Sequence, residues 1–573
     1  MKVSVWAPQA ISAELVLGDR RIPLHLSEGY WQADVDEALL QNGYRFSIDG
    51  GDPVPDPRSR WQPDGIHGTS HLPGKLPPWS APASEGAPLG DAVIYELHVG
   101  TFTPAGTYAS AQEKLPHLAE LGITHVELMP LATFPGRRGW GYDGVDLYAP
   151  FPAYGTPAEL AAFVQACHAA GLSVLLDVVY NHLGPDGNYL GQYGPYFTDR
   201  YRTAWGSAIN YDGPQSDPVR RFIIDNALMW LRDYGFDGLR LDAVHAIYSG
   251  DAVHVLEELA AAVHSLGDEI GRRFVLIAES DLNDPRLVRP PSRGGLGLDA
   301  QWADDFHHAV HRYFTNEAEG YYADFHGLAD VATALRDGYV YQGRYSVHRE
   351  RRHGRPPSGV NPDQLVVFAQ NHDQIGNRAQ GERLSMLLDT AQLKAVAALT
   401  LLSPFVPLLF QGEEWGAKTP FLYFTDHENE ELGRLVSEGR SKEFSAFRWQ
   451  GAVPNPQEIG TFERSRLDWS ELSRPPHAEL FDWHCRLIRL RRGKAGRSAG
   501  RDRNRLAVKY DEKSQWLRFA HRGVLAVFNF ADGAQRVPMP RGNWVLALAS
   551  EPAEKSALPV MAARATRIFT LRD

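Results

Sequence analysis

From Asp91 onward, short apolar runs alternate with longer amphipathic stretches, and each pair ends in a turn signal. "AVIYELHVG" reads as a strand. "SAQEKLPHLAELG" reads as a helix and "ITHVELMP" as a strand. "TPAELAAFVQACHAAG" is helical before "LSVLLDVVYNH". "DPVRRFIIDNALMWLRDYG" is helical before "FDGLRLDAVH", and "DAVHVLEELAAAVHSLG" before "RFVLIAES". Gly122, Gly171 and Gly235 close three of these helices, where a left-handed cap favours glycine. Strands linked through helices must be parallel, because a parallel pair needs a long crossover. The rhythm therefore predicts an α/β protein. Eight units would close a (β/α)8 barrel, and residues 91 to about 480 leave room for eight with insertions. A doubly wound open sheet is the alternative, weakened because no Gly-x-Gly-x-x-Gly follows the first strand.

The flanks read differently. "VSVWAP", "AELVL" and "YRFSIDG" are alternating runs separated by turns, which predicts an N-terminal β-sandwich. Nine prolines from Pro53 to Pro88 make the next stretch an ordered or semi-rigid connection and exclude a central strand. After about 495, "LAVKYD", "QWLRFAH", "GVLAVFNFA", "WVLALAS" and "ATRIFTL" predict a C-terminal β-sandwich. The expected division is 1–88, 89–490 and 491–573.

Composition excludes several classes. The net charge of -12, from 58 basic and 70 acidic residues, gives no footprint for a nucleic-acid backbone, so no nucleic-acid partner is expected. Two cysteines make neither a disulfide framework nor a metal knuckle. No run approaches ~18 unbroken apolar residues and the start "MKVSVWAPQA" is strand-like, so a cytoplasmic protein with no membrane partner is expected.

In a parallel barrel the reactive groups project from the carboxyl ends of the strands. Collecting polar residues there gives Asp177, Asn181 and His182, then Arg240, Asp242 and His245, then Glu279, and later His372 and Asp373. A lone strand-end aspartate is often only a helix cap. Arg240 two residues before Asp242 shares its face, and the guanidinium can hold the carboxylate ionised, as a structural ion pair also would. Glu279 on the next strand supplies a second acid, the pair that glycoside hydrolysis needs. Metal binding by "YNH" or "NHDQIGN" is the competing use of these residues. It lacks a His-Glu-x-x-His pair. There is no Gly-x-Ser-x-Gly elbow and no phosphate loop. No metal and no cofactor are expected.

"DVVYNH", "GLRLDAVH", the Glu279 of "LIAES" and "NHDQIGN" resemble, in order, the four signature regions of the α-amylase superfamily, glycoside hydrolase family 13. "GYDGVD" resembles its Tyr-x-x-x-Asp signature. "YELHVGTFTPAGTY", "HVELMPLATFPGRRGWGYDGVDLYAPFPAYGTP" and "ESDLND" are closest to the trehalohydrolase branch. The resemblance covers nearly the whole chain, the C-terminal sandwich mainly in type. It implies a retaining hydrolase that releases trehalose from maltooligosyltrehalose at the α-1,4 bond, acting as a monomer. A glycogen branching enzyme, transferring to a sugar hydroxyl, is the alternative within the family. A catalytically dead, glycan-binding barrel is the alternative outside it, and would lack one member of the acidic trio.

The same resemblance implies roles. Asp242 would be the nucleophile, Glu279 the general acid and then base, and Asp373 the stabiliser of the distorted ring. Arg240 would orient Asp242. His182 and His372 would bond sugar hydroxyls, and Tyr142 would stack beneath the ring. Asp304, Asp305, Phe306, His307 and His308 match a substrate-binding stretch of the branch. Leu241, Ala243, Val244, His245, Gln374, Ile375, Gly376 and Asn377 would line the cleft. Many starch-acting relatives carry Lys-His where this chain has Val244-His245, so an apolar valine implies a different acceptor side. A protonated donor near neutral pH further requires Glu279 to titrate high.

Overall fold

The computed structural model describes residues 1–77, 88–446, 453–493, 506–552 and 560–572. Side chains are described only to residue 442 in the helix Glu430–Ala446.

Eight parallel strands close a barrel in chain order. They are β1 (Ile94–Leu97), β2 (His125–Leu128), β3 (Ser173–Val178), β4 (Gly238–Leu241), β5 (Val275–Ala278), β6 (Ala300–Trp302), β7 (Leu365–Phe368) and β8 (Val406–Phe410). β1 pairs with both β2 and β8, which completes the ring. The strands are buried on both faces, so they read as near-continuous apolar runs. Two strands had no clear signature. β6 has three residues, and β8 contains Pro407, whose missing N–H removes one ladder bond.

The helices follow the periodicity with local departures. "SAQEKLPHLAELG" forms two helices, Tyr108–Gln112 and Leu115–Leu121. Pro116 lies in the first turn of the second, where its missing N–H costs no bond. The helix Ser216–Met229 runs on as a π turn, Trp230–Tyr234, that ends at Gly235 with φ +86°. The next helix starts at Val255, four residues later than the pattern suggested, because the His254 ring caps it by accepting the Leu256 N–H.

Residues 1–48 form two three-stranded sheets, with Val3, Val5, Leu15, Trp31 and Phe46 buried. The first part of the proline-rich segment then meets the barrel helices. Arg58 pairs with Asp225 at 3.0 Å and Arg60 with Asp233 at 3.0 Å. At the other end a five-stranded antiparallel sheet is faced by a two-stranded one, around Leu525, Val527, Val537, Met561 and Phe569. It packs against the barrel helices Gly327–Asp337 and Thr390–Leu401. No helix among the described residues is long and apolar enough to cross a membrane.

Because all eight strands are parallel, their carboxyl ends share one rim. Two hairpins rise on that side of the chain, Phe197–Thr203 with Gly206–Ile209 after β3, and Gln342–Ser346 with Arg351–Gly354 before β7.

Candidate active site

The rim is organised by Arg240, which is fully buried at the end of β4. Its Nη1 donates to both oxygens of Asp177, at 2.9 and 2.8 Å, and to Asp242 Oδ1 at 2.7 Å. Its Nη2 lies 3.8 Å from Glu279 Oε2, and its guanidinium sits 4.2 Å over the Trp302 ring. Burying a guanidinium is tolerable only with such pairing. Asp242 Oδ2 accepts from Asn181 Nδ2 at 2.7 Å, so each oxygen of Asp242 faces a donor.

Glu279 stands beside this pair. The chain leaves β4 through Ala243, whose φ of +39° lies in the left-handed region that costs a non-glycine residue about 1–3 kcal/mol. That turn aims the Ala243 N–H at Glu279 Oε2, 2.6 Å away, and the Val244 N–H at the Glu279 carbonyl, 3.1 Å away. Burial pushes the Glu279 carboxyl well above the usual range. The charges of Asp242, Asp304 and Asp373 push the same way, against Arg240. One oxygen is committed to an N–H, which leaves the other to carry a proton.

Asp373 opens the helix His372–Gly376 after β7. Its side chain is 46% exposed, and Asn377 Nδ2 donates to it at 3.0 Å. His372 is buried. Its Nδ1 lies 2.5 Å from Glu96 Oε1, and its Nε2 2.7 Å from the Tyr142 hydroxyl. Tyr142 stacks on that ring and donates to Asp177 Oδ2 at 2.6 Å. Burial works to lower the His372 pKa, but Glu96 and then Asp373 bring it up to about 9. Burial raises Asp177 to about 6 despite Arg240. His182 bonds Asn181 at 2.5 Å and stacks on the half-exposed Trp205 at 4.4 Å.

The structure thus brings together Asp242, Glu279, Asp373, Arg240, Tyr142, His182 and His372. It does not bring every candidate into the cleft. Within the helix Asp304–Thr315, Asp304 joins the acids of the rim, pushed up to about 7 by burial and by Asp281 and Asp373. Asp305 is buried and accepts the N–H groups of Val340 and Tyr341, at 2.7 Å each. Phe306 is fully buried core. His307 bonds the Ala369 carbonyl at 2.5 Å and the Tyr322 hydroxyl at 2.8 Å. His308 packs among Tyr321, Tyr322 and Phe325, and burial lowers it to about 3. Residues 305–311 are buried on every side of this helix, and these four support the wall from behind.

Leu241, Val244 and Ile375 are likewise core residues, between 0% and 4% exposed. The Val244 reading needs correction. Its side chain belongs to the buried apolar cluster, whereas His245 beside it is exposed. Ala243 contributes its N–H. Gln374 is half-buried with an unpartnered Oε1. Gly376 is required by close approach, since a Cβ there would stand 2.0 Å from the Trp140 ring.

Several contributors went unnoticed. Glu96 lies within an apolar strand, and nothing local shows that it reaches a residue 276 positions away. Trp205 sits in an unremarkable hairpin. Arg440 donates to the Gly376 carbonyl at 2.5 Å and to Asn377 Oδ1 at 2.9 Å. Among the described residues no group of three or more His, Cys, Asp or Glu is arranged to hold a metal ion.

Known proteins share this organisation. The family profile "Alpha amylase, catalytic domain" matches residues 80–203. A Rhizobium sp. (strain M-11) protein named malto-oligosyltrehalose trehalohydrolase is 48% identical over 567 residues, 96% of this chain and 94% of its own. An Arthrobacter ramosus protein of the same name is 52% identical over 85% of this chain and 86% of its own. A 1,4-alpha-glucan branching enzyme of Mycolicibacterium paratuberculosis is 27% identical over 72% of this chain and 59% of its own. A crystal structure from Salmonella typhimurium, named for a candidate alpha amylase, is 37% identical. It covers 100% of this chain and 97% of its own, with a TM-score of 0.90.

Proposed function

The chain belongs to the malto-oligosyltrehalose trehalohydrolase family, within the α-amylase superfamily, and we propose a mechanism by which its rim residues cut the α-1,4 bond next to the terminal trehalose of maltooligosyltrehalose. The observation that carries the mechanism is the Arg240 guanidinium, shared by Asp177 and Asp242 and flanked by a Glu279 that titrates high.

Asp242 Oδ attacks the anomeric carbon of the glucosyl unit. Glu279 gives its proton to the glycosidic oxygen as that bond breaks, so trehalose leaves neutral. The glucosyl unit is then esterified to Asp242. Glu279, now a carboxylate, takes a proton from water, whose oxygen attacks the same carbon and displaces Asp242. Two inversions retain the α configuration. Arg240 and Asn181 hold Asp242 so that it does not rotate away. Asp373, His182 and a protonated His372 bond the hydroxyls of the distorted ring, Tyr142 underlies it, and Trp205 backs His182 by stacking on it.

We place the protein in the cytoplasm, as a monomer contributing to trehalose formation. Its two cysteines, Cys167 and Cys485, are buried thiols, which suits a reducing compartment.

A branching enzyme would use the same acids with a sugar hydroxyl in place of water. Identities of 41–52% to trehalohydrolases against 27% to the branching enzyme favour water. Product analysis separates the two. Maltooligosyltrehalose should yield free trehalose, and amylose should gain no α-1,6 branches. New branches without trehalose would overturn the reading.

A further inference from the structure

Glu96, on β1, is a buried acid that the mechanism above leaves without a role. It is 1% exposed and reaches His372 with both oxygens. Oε1 lies 2.5 Å from Nδ1, and Oε2 accepts the His372 backbone N–H at 3.0 Å. Nε2 lies 2.7 Å from the Tyr142 hydroxyl, and that hydroxyl lies 2.6 Å from Asp177 Oδ2. A phenol has one proton to give. Asp177 is an acceptor already engaged by Arg240, so the phenol donates to it and accepts from Nε2. Nδ1 meanwhile faces a carboxylate oxygen. Each ring nitrogen therefore needs its own hydrogen, which no neutral tautomer provides.

Resting on the catalytic reading of the rim, we propose that Glu96 is a positioning residue that holds His372 as an imidazolium. It thereby fixes the chain His372–Tyr142–Asp177–Arg240 that ends on Asp242. With substrate bound, the Nε2–H can pass to a sugar hydroxyl while Tyr142 keeps its bond to Asp177. The ring would then offer a charged donor where a neutral histidine could present a lone pair.

The other charges around His372 leave this task to Glu96. Glu127, its register partner on β2, has no hydrogen bond to either oxygen, and burial holds its carboxyl well above the usual range. Asp177 reaches the ring only through Tyr142. Asp373 is 3.9 Å away and half-exposed. Arg240 opposes a further positive charge on the ring, while burial, with His372 adding to it, lowers the neighbouring His98 to about 4. Among the described residues, Glu96 is the one carboxylate within hydrogen-bond distance of the ring.

The test is a pH titration of the intact protein carrying 15N-labelled histidine rings, with the His372 signals assigned by their loss in His372→Gln. No substrate is present, so the outcome is independent of which sugar the enzyme cleaves. In the wild type both His372 nitrogens should stay protonated through about pH 8. In Glu96→Gln, which keeps the shape and removes the charge, the midpoint should fall by more than about one unit. Glu127→Gln should leave the His372 midpoint in place. A wild-type ring that is already neutral at pH 8 would overturn the proposal even if Glu96→Gln does not fold. So would a Glu96→Gln midpoint matching the wild type.

Discussion

Arg240 Nη1 donates to Asp242 Oδ1 at 2.7 Å while also holding both oxygens of Asp177, so one buried nitrogen ties β3 to the turn after β4. A lysine can supply charge at that depth but not the planar fork that faces Asp177, Asp242 and Glu279 together. Arg240→Lys should therefore lower kcat by about 10²-fold or more, as losing one preorganised donor does elsewhere. Tm should fall as well, because two buried carboxylates lose geometry. Steady-state kinetics at saturating substrate and calorimetry check both. Unchanged kcat would remove Arg240 from its orienting role.

Glu279 is raised by burial and by its acidic neighbours, and in the proposed mechanism it acts first as an acid. Protonated Glu279 is the active form for the first step, so activity should fall as pH rises through its pKa. Glu279→Gln should lose about 10²–10⁴-fold in kcat and also lose that alkaline limb, while still binding substrate. A Gln variant with a near-normal rate would exclude the acid role.

Glu127 predicts a pH-dependent stability. Its folded-state carboxyl titrates well above the unfolded value, chiefly through burial. That stabilising contribution is fully present below the unfolded pKa and is lost as pH rises toward the folded pKa. Glu127→Gln cannot ionise. The Tm difference, variant minus wild type, should thus become more favourable between pH 5 and pH 8, even though the buried amide is itself unpaired. A difference that stays flat with pH would show that Glu127 is already ionised.

Gly376 predicts an effect on catalysis without the loss of any reacting group. An added Cβ would strike Trp140, which is pinned by a bond to the Leu422 carbonyl at 2.9 Å, stacks on Phe421 and meets His372 edge-on. Gly376→Ala should cost about 1–3 kcal/mol of stability through overpacking. It should also lower kcat/KM by displacing His372 and Asp373. Thermal unfolding alongside kinetics separates the two effects.

The sequence disclosed the barrel where apolar runs were long and bounded, as in β3 and β4. It concealed β6, which has three residues, and β8, where Pro407 argues against a central strand. The acids at strand ends were readable because their order along the chain follows their order around the ring. Their partners were not. Glu96 sits among apolar neighbours, and its contact with His372 exists only because β1 and β7 flank β8 in the closed barrel. Val244 shows the opposite error. A residue two positions from Asp242 on the chain lies in the core, after the left-handed turn at Ala243.

In the proposed mechanism a double displacement at the Asp242 and Glu279 pair expels trehalose. Proton NMR of maltotriosyltrehalose during the first minutes of reaction tests it in one measurement. Trehalose should appear in equal amount to maltotriose, with the new reducing end appearing first as the α anomer and only later mutarotating. Maltotriose appearing first as the β anomer, or consumption of substrate without trehalose, would contradict it.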